Sequence, residues 1–402
     1  MRRALLICLT LIAAVAWPPA QAGPTAGGLA SDNIEYVGFI PFEQSTSTGV
    51  SIRGRYMYLT SWKNISIYDV SESTAPELLS TRPIGFRFEN ENVSTNNKIM
   101  LFAEQLPGVP ATGEACSPRP ACVRSALHVW DVRDKTNPVE IATLLGSGSH
   151  TVECISKCRY SYGSGDEHIV DLRDPKNPRN LGNWMGELAQ EGSTHDTTEY
   201  KRGFILTAPT GPDTLPIQAI DARDPTEPVI VASAAIPEGE PIVHSVRWPR
   251  QGKDRFMLGQ GENNANSRCG EEDDGVHGAE NGNFFVYDTT GWKKTKSFKL
   301  VDEWNLENGN YVDGNPAVGG LGCSTHWFEE HPTFEDGGLV ALGAYEHGTK
   351  FLQVNSKGKI KEVGYFMPYG GSTSAAYWVD RAIVYAVDYA RGVDILRWTG
   401  DV

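Results

Sequence analysis

Four histidines stand at matching places in four different segments of the chain. The segments GSHTVEC, STHDTTEY, IVHSVRW and STHWFEEH contain, in that order, His150, His195, His244 and His326. The chain has only nine histidines, so four at one repeated position are not expected by chance. Neutral imidazole is a ligand for Cu, Zn, Fe and Ni. If these side chains converge, the sequence predicts a transition-metal site.

Acidic residues near these histidines could supply an oxygen ligand or a general base. Glu89 and Glu91 of FENENVS occupy the corresponding place in the preceding repeat and are the first candidates. Other carboxylates follow the histidines closely, namely Glu153, Asp196, Glu329 and Glu330. Neighbouring residues of a strand face opposite sides, so only some of these can face the imidazoles.

Three other interpretations of the histidines stay open. In the first, each histidine only packs or caps the start of a strand in its repeat. In the second, the histidines form a small-ligand site without a metal. In the third, a nearby serine serves as the nucleophile of a Ser-His-carboxylate hydrolase, with Ser147, Ser149, Ser193 and Ser324 as candidates. No GxSxG elbow supports the hydrolase.

A repeated unit of the chain must position these residues. IYDVSESTAPELLS, VWDVRDKTNPVEIA, IVDLRDPKNPRNLG and AIDARDPTEPVIVA begin at residues 67, 129, 169 and 219, and weaker copies begin at residues 285 and 352. Each full copy is an apolar strand ending in Asp, a polar turn closing on Pro, and a further apolar strand. An Asp side chain can accept hydrogen bonds from main-chain N–H groups of the turn. Pro fixes φ and suits a position whose main-chain N–H is not needed for strand pairing.

The unit has four short strands, because a further strand pair precedes each hairpin. A period of roughly 40 to 50 residues is typical of a propeller blade. Seven units start near residues 50, 93, 152, 197, 246, 327 and 376, and the last has only three strands. The segment NIEYVGFIPF, residues 33–42, can supply the fourth strand beside residues 393–398. We predict an all-β, seven-bladed β-propeller closed by the N-terminal strand. A pair of β-sandwiches would leave the Asp-turn-Pro spacing unexplained.

The repeated segments resemble those of the LVIVD-repeat proteins, a family of secreted or surface bacterial β-propellers. The segments at 67–79, 129–142, 169–181 and 219–231 carry the resemblance, which implies an extracytoplasmic propeller and says almost nothing about activity. A looser, architectural similarity links the chain to the selenium-binding proteins and methanethiol oxidases, whose propellers hold a metal on central histidines. None of their longer motifs is present, so their oxidase activity is not carried over.

Residues 1–22 have the features of an export signal. Arg2 and Arg3 precede the apolar stretch ALLICLTLIAAVAW, and Ala20-Gln21-Ala22 offers a small-x-small cleavage pattern. Residues 23–32 are then expected to be a flexible arm, and residues 33–402 a single propeller domain. The apolar stretch is too short for a comfortable membrane span. We therefore expect a secreted or extracytoplasmic protein without a membrane span.

The six cysteines beyond this signal fit an oxidising compartment. Their even number favours disulfides over reactive thiols, and six cysteines allow 15 pairings. Proximity in sequence favours Cys116 with Cys122 and Cys154 with Cys158, which leaves Cys269 with Cys323. A thiolate zinc site would need a CxxC pair, which the chain lacks. The acidic segment CGEEDDGVHGAENGN around Cys269 lacks the spacing of a calcium loop, and we interpret it as a solvated insertion.

The charge balance limits the partners. Lys plus Arg number 36 against 50 Asp plus Glu, a net charge of -14. Without a basic cluster, nucleic acid and anionic membranes are not expected partners. We expect a monomer with a His-lined central site that binds a transition metal and acts on a small molecule by redox or hydrolytic chemistry. Whether it is an enzyme stays undecided. The alternative is an extracellular module that binds protein or glycan through exposed propeller loops.

Overall fold

The strands of the computed structural model form seven antiparallel sheets arranged as the blades of a ring. The structure describes residues 27–41, 49–61, 64–84, 92–104, 126–188, 190–210, 215–240, 242–262, 282–306 and 324–402. The predicted all-β, seven-bladed propeller is therefore confirmed.

The first four blades each contain four strands that are consecutive in the chain. Blade 1 consists of β3 (Val50–Arg53), β4 (Tyr56–Thr60), β5 (Asn64–Asp69) and β6 (Glu77–Pro83). Blade 2 consists of β7 (Ser94–Thr95), β8 (Ile99–Glu104), β9 (Ala126–Asp131) and β10 (Val139–Leu145). Blade 3 consists of β11 (Thr151–Ile155), β12 (Tyr160–Ser164), β13 (His168–Asp171) and β14 (Arg179–Asn183). Blade 4 consists of β15 (Ser193–Lys201), β16 (Phe204–Thr210), β17 (Ile217–Asp221) and β18 (Val229–Ala234).

The last three blades complete the ring and include the N-terminal strands. Blade 5 consists of β19 (Val243–Arg247), β20 (Phe256–Gly261), β21 (Phe284–Asp288) and β22 (Lys299–Trp304). Blade 6 consists of β23 (Phe328–Glu330), β24 (Gly338–Gly343), β25 (Thr349–Val354) and β26 (Ile360–Pro368), with β1 (Gly28–Ala30) as a fifth strand. Blade 7 consists of β27 (Thr373–Trp378), β28 (Ile383–Asp388), β29 (Gly392–Trp398) and β2 (Ile34–Pro41). In the described part of the chain, three short helical turns lie between strands. They are α1 (Trp184–Glu187), α2 (Pro249–Gly252), in which Arg250 and Gln251 have left-handed backbone angles, and α3 (Trp292–Thr295).

The repeated Asp and Pro shape the turn between the third and fourth strands of a blade. Asp131 accepts a hydrogen bond from the main-chain N–H of Arg133 at 3.1 Å, and Asp221 accepts the same bond from Arg223 at 3.1 Å. The proline that closes each of these turns immediately precedes β10 or β18. These contacts confirm the role predicted for the Asp side chain.

The N-terminal strand closes the ring as predicted. β2 pairs with β29 in antiparallel register, from Ile34 opposite Trp398 to Pro41 opposite Gly392. Asn33 ties this strand to the neighbouring blade, because its side-chain amide donates to the carbonyl oxygen of Val363 at 2.9 Å. β1, which lies in the segment expected to be an arm, pairs with β26.

Seven apolar clusters fill the seven interfaces between blades. Because successive residues of a strand face opposite sides, each strand contributes to two interfaces. In β21, for example, Phe284 packs between blades 5 and 6, whereas Phe285 packs between blades 4 and 5. A cluster that includes Val50 and Ile395 joins blade 1 to blade 7. The core is thus a closed ring around the axis.

Two further predictions concern disulfides and membrane spans. Cys154 and Cys158 form a disulfide across the hairpin between β11 and β12, as predicted. The other predicted pairs, Cys116 with Cys122 and Cys269 with Cys323, lie outside the described residues, as does the export signal. In the part of the chain that the structure describes, none of the helices has the length and hydropathy needed to cross a bilayer.

Candidate functional site

The four matched histidines lie at the start of the innermost strand in four consecutive blades. His150 immediately precedes β11, His195 lies in β15, His244 lies in β19, and His326 precedes β23. Innermost strands of neighbouring blades contact each other, as β11 does with β15 and β15 with β19. Equivalent positions on these strands are therefore neighbours in space.

β-Bulges orient the side chains of His195 and His244. The pairing of β15 with β16 skips His195, and the pairing of β19 with β20 skips His244. Ser374 is the skipped residue at the equivalent place in β27. An extra residue in one strand redirects its side chain and takes its carbonyl group out of the regular ladder.

The imidazole rings form a continuous row. Ring centroids are 4.5 Å apart for His150 and His195, 3.8 Å for His195 and His244, and 4.0 Å for His244 and His326. His244 and His326 are fully buried and His195 is 9% exposed, whereas His150 is partly exposed. The structure thus brings together all four histidines selected from the sequence.

Hydrogen bonds to main-chain carbonyls orient two of the rings. Nδ1 of His195 lies 3.2 Å from the carbonyl oxygen of His244, and Nδ1 of His326 lies 2.7 Å from that of Ser374. A carbonyl oxygen can only accept, so each Nδ1 donates its proton. In the neutral ring the lone pair is then on Nε2, which is the arrangement that a metal ligand requires.

Gly343 allows one of these carbonyls to come close. A Cβ atom at this position would lie 2.6 Å from the carbonyl carbon and oxygen of Ser374. The carbonyl oxygen of Gly343 also accepts the main-chain N–H of His326 at 2.7 Å. The close packing of these two blades therefore depends on a residue without a side chain.

Glu262 completes the group and was not selected from the sequence. Its Oε2 lies 3.9 Å from Nε2 of His244, and its Oε1 lies 3.9 Å from Nε2 of His326. The hydroxyl of Tyr345 donates to Oε1 of Glu262. The carboxylate therefore faces two imidazoles and is held by a tyrosine.

A topological signal could have identified Glu262. In an antiparallel pair, the end of the second strand lies beside the start of the first, so the residue after the second strand shares the rim with the histidines. Glu262 directly follows β20, and Tyr345 and Tyr389 follow the second strands of the next two blades. These positions follow second strands, so the repeat position shared by the histidines at the first strands does not reveal them.

The geometry is compatible with a metal ion. His195, His244 and Glu262 offer ligand atoms that all lie within 4.8 Å of one another, and this group could hold an ion. Two atoms that each lie about 2.1 Å from one ion are at most about 4.2 Å apart, so small side-chain rotations would suffice. Nε2 of His150 lies 2.9 Å from Nε2 of His195, which places a further nitrogen beside the group.

Aromatic side chains surround the imidazoles. The ring centroid of Trp327 lies 4.7 Å from that of His244, and the centroid of Tyr345 lies 4.6 Å from that of His326. Trp327 is 8% exposed. An apolar shell of this kind lowers the local dielectric constant and limits access of water, which strengthens electrostatic interactions inside.

The carboxylates proposed near the histidines lie elsewhere or outside the described residues. Glu89 and Glu91 belong to the undescribed part of the chain. Glu153, Asp196 and Glu329 line a cavity on the ring axis. Oε2 of Glu330 accepts a hydrogen bond from Nε of Arg247 at 2.8 Å.

Burial shifts the pKa values of the cavity carboxyls. It raises the pKa of Glu153 to about 7 although the positive charge of Arg53 opposes the shift, and the negative charge of Glu199 adds a smaller contribution. It raises the pKa of Asp196 to about 8, helped by the charge of Glu153. The pKa of Glu329 rises to about 7 by burial, although Arg247 opposes the shift.

Two of the serines considered as nucleophiles contact other groups. The hydroxyl of Ser193 donates to Oε1 of Glu167 at 3.1 Å, and the hydroxyl of Ser147 accepts from the amide of Asn180 at 2.8 Å. In these contacts neither serine hydroxyl is hydrogen-bonded to a histidine, although a Ser-His hydrolase depends on such a bond.

Fold and site together define a seven-bladed β-propeller with a group of two buried histidines and a partly exposed glutamate that could hold a metal ion at one end of its axis. A comparison with models of protein families gives no match, and a comparison with curated protein sequences gives none either. The chain is therefore described by its propeller class, and membership of the LVIVD-repeat family stays a prediction.

Proposed function

We propose that this protein binds one transition-metal ion through His195, His244 and Glu262, with His150 and His326 as the flanking or additional ligands. The set of imidazole nitrogens and one carboxylate oxygen suits Zn, Cu, Fe or Ni better than Ca or Mg, which prefer oxygen ligands only. The observation that carries the proposal is the convergence of these ligand atoms within 4.8 Å.

The surroundings of the group support this proposal over a purely structural role. A histidine that only caps a strand needs one hydrogen bond and no neighbour of its own kind. Here Nδ1 of His195 and of His326 are occupied by carbonyl oxygens, and Nε2 of His326 and His244 face one carboxylate. Such an arrangement of outer hydrogen bonds is the one that orients histidine ligands in metal sites.

We propose further that the site acts on a small molecule. His150 is partly exposed while the other three rings are buried, so the row has one accessible end. A metal ion at this position would act as a Lewis acid or lower the pKa of a bound water molecule. A redox reaction and a hydrolysis both remain compatible with this ligand set.

Export to an oxidising compartment is part of the same proposal. It rests on the signal-like features of residues 1–22 and is supported by the disulfide between Cys154 and Cys158, since such bonds persist mainly outside the cytosol. Mass spectrometry of the mature protein from its native host tests it. A chain that starts near Gly23 is the expected result, and an intact N-terminus would contradict it.

Metal affinity of defined variants tests the site itself. Untagged protein is stripped with a chelator and titrated with Zn²⁺ or Cu²⁺ against a chromophoric chelator. We expect one ion per chain, and at least a hundredfold weaker binding by His195→Ala and His244→Ala. His168→Ala is the matched control, because His168 lies in β13 away from the row and contacts Asn180 instead.

Two results would contradict the proposal. One is equal metal affinity in the control and in both site variants. The other is no binding by correctly folded wild-type protein, which would leave the extracellular protein- or glycan-binding module as the better account.

A further inference from the structure

The polar cavity lined by Glu153, Asp196 and Glu329 lies on the ring axis and is separate from the histidine row. It has a volume of about 170 Å³. The innermost strands of all seven blades, or the residues just before them, line it, so it lies in the centre of the ring. Trp327 lines this cavity and also contacts His244, which places the indole ring between the two sites.

Negative groups outnumber positive groups in the lining. Four carboxylates line the cavity, namely Glu153, Asp196, Glu199 and Glu329, against the two guanidinium groups of Arg53 and Arg247. Arg247 is already held by Glu330 at 2.8 Å and by Glu329 at 3.3 Å. Among the residues that the structure describes, the other three carboxylates form no ion pair within 4.0 Å.

Asp196 presents an unsatisfied oxygen in this wall. The residue is 2% exposed, and Thr198 donates to its Oδ2 at 3.1 Å. Its Oδ1 is buried and has no hydrogen-bond partner within the described ranges. A buried carboxylate oxygen without a donor costs free energy, so a ligand that supplies N–H donors would be stabilised here.

Glu153 and Glu199 already use oxygens on protein donors. Oε2 of Glu153 accepts from Ser94 at 3.0 Å, and Oε1 of Glu199 accepts the main-chain N–H groups of Ser156 and Gly203, both at 2.7 Å. These bonds fix the carboxylates in place. Burial raises the pKa of both groups, so a bound cation would favour their ionised forms and offset the cost of burying the negative charge.

The spacing of the carboxylates favours an extended cation over a metal ion. In the described part of the chain, three ligand atoms within 4.8 Å of one another occur only in the His195, His244 and Glu262 group. One ion could therefore not contact Glu153, Asp196 and Glu199 together. The volume corresponds to roughly six water molecules, which is enough for a short organic molecule.

Two aromatic rings complete the lining and suit the same class of ligand. Trp327 and Tyr377 line the cavity from blades 6 and 7, across the ring from Glu153 and Asp196 in blades 3 and 4. A ring face attracts an ammonium group and also packs against methylene groups. Carboxylates together with indole and phenol rings are the combination that recognises alkylammonium compounds.

We propose that this axial cavity binds a small organic cation of the alkyl diamine class, with one ammonium group at Asp196 and Glu153 and the carbon chain against Trp327 and Tyr377. The lining has two more acidic than basic side chains, and two bound ammonium groups would hold these carboxyls in their ionised form. This inference does not depend on the metal site.

Calorimetric titration with putrescine tests the proposal. The full-length mature protein is treated with a metal chelator first, so that the histidine row makes no contribution, and ionic strength is held constant. We expect one putrescine per chain and at least tenfold weaker binding by Asp196→Asn. Glu153→Gln is a second variant with the same expected direction, and Glu72→Gln is the matched control, because Glu72 is exposed and does not line the cavity. Circular dichroism establishes that each variant is folded.

Several outcomes would overturn the proposal. Folded wild-type protein that does not bind putrescine would do so, as would equal affinity in both cavity variants and the control. Binding of CaCl₂ at one ion per chain, lost in Asp196→Asn, without any putrescine binding would identify a metal-ion site instead.

Discussion

The Nε2 atoms of His150 and His195 lie 2.9 Å apart. Because Nδ1 of His195 donates to the carbonyl oxygen of His244, Nε2 of a neutral His195 must accept, and His150 is then the donor of this bond. Two nitrogens bound to the same ion at about 2.1 Å and at right angles would also be about 3 Å apart. The spacing found in the protein is therefore suitable both for a hydrogen bond and for two adjacent ligand positions.

The first prediction separates a metal ligand from the residue that positions it. Glu262→Gln should weaken metal binding more strongly than Tyr345→Phe, because Tyr345 acts only through its hydrogen bond to Glu262. Loss of an outer partner typically costs about 10- to 100-fold in affinity. Competition titration measures both variants, with exposed Glu238→Gln as the control. A larger loss for Tyr345→Phe than for Glu262→Gln would contradict the assignment.

The second prediction concerns pH. The pKa of Glu153 is raised to about 7, mainly by burial, so the folded chain holds this proton more tightly than the unfolded chain does. Stability contributed by the protonated carboxyl is thus lost as pH rises from about 4.5 to about 7. Glu153→Gln should remove this loss, on the order of 1–3 kcal/mol.

Urea unfolding of metal-free protein at pH 5 and pH 8 measures the effect. The difference in unfolding free energy between the two pH values should be smaller in Glu153→Gln than in the wild type. Glu72→Gln should behave as the wild type. An unchanged difference in Glu153→Gln would show that this carboxyl ionises at its ordinary pKa.

The third prediction tests ring closure. Ile40 of the closing strand is 8% exposed and packs in the cluster between blades 7 and 1. Ile40→Ala should lower the free energy of unfolding by about 2–4 kcal/mol. Leu78→Ala is the control, because Leu78 is 51% exposed, and it should change stability by less than about 0.5 kcal/mol. Equal stability of the two variants would mean that the closing strand is not part of the cooperative unit.

The fourth prediction concerns the disulfides. The bridge between Cys154 and Cys158 closes a loop with a sequence separation of 4, so its removal in the double variant to Ala should cost about 2 kcal/mol. Peptide mapping without reductant also tests the two pairings that lie outside the described residues. We expect Cys116 with Cys122 and Cys269 with Cys323, and a crosslink between Cys154 and Cys323 would refute the set.

The repeated segments allowed the fold to be predicted from the sequence. Asp131 and Asp221 mark turns of identical hydrogen bonding, so the blade could be recognised and counted, and residues 33–42 were the one strand left over. The histidines were found for the same reason, since equal positions in successive blades are spatial neighbours. Glu262 was missed because it follows a second strand rather than a first strand, and its role depends on the antiparallel rim, which no local spacing displays. The separation of Asp196 from the histidine row depends on the bulge at His195, which sequence alone does not indicate.

Metal content of the protein as isolated tests the central claim most directly. Mature protein is purified without a His tag or added metal, and inductively coupled plasma mass spectrometry quantifies Zn, Cu, Fe and Ni per chain. The proposal predicts close to one transition-metal ion per chain in the wild type and almost none in the double variant His195→Ala/His244→Ala. Metal well below one ion per chain in a folded wild type that also fails to take up any of these ions when they are supplied would contradict it.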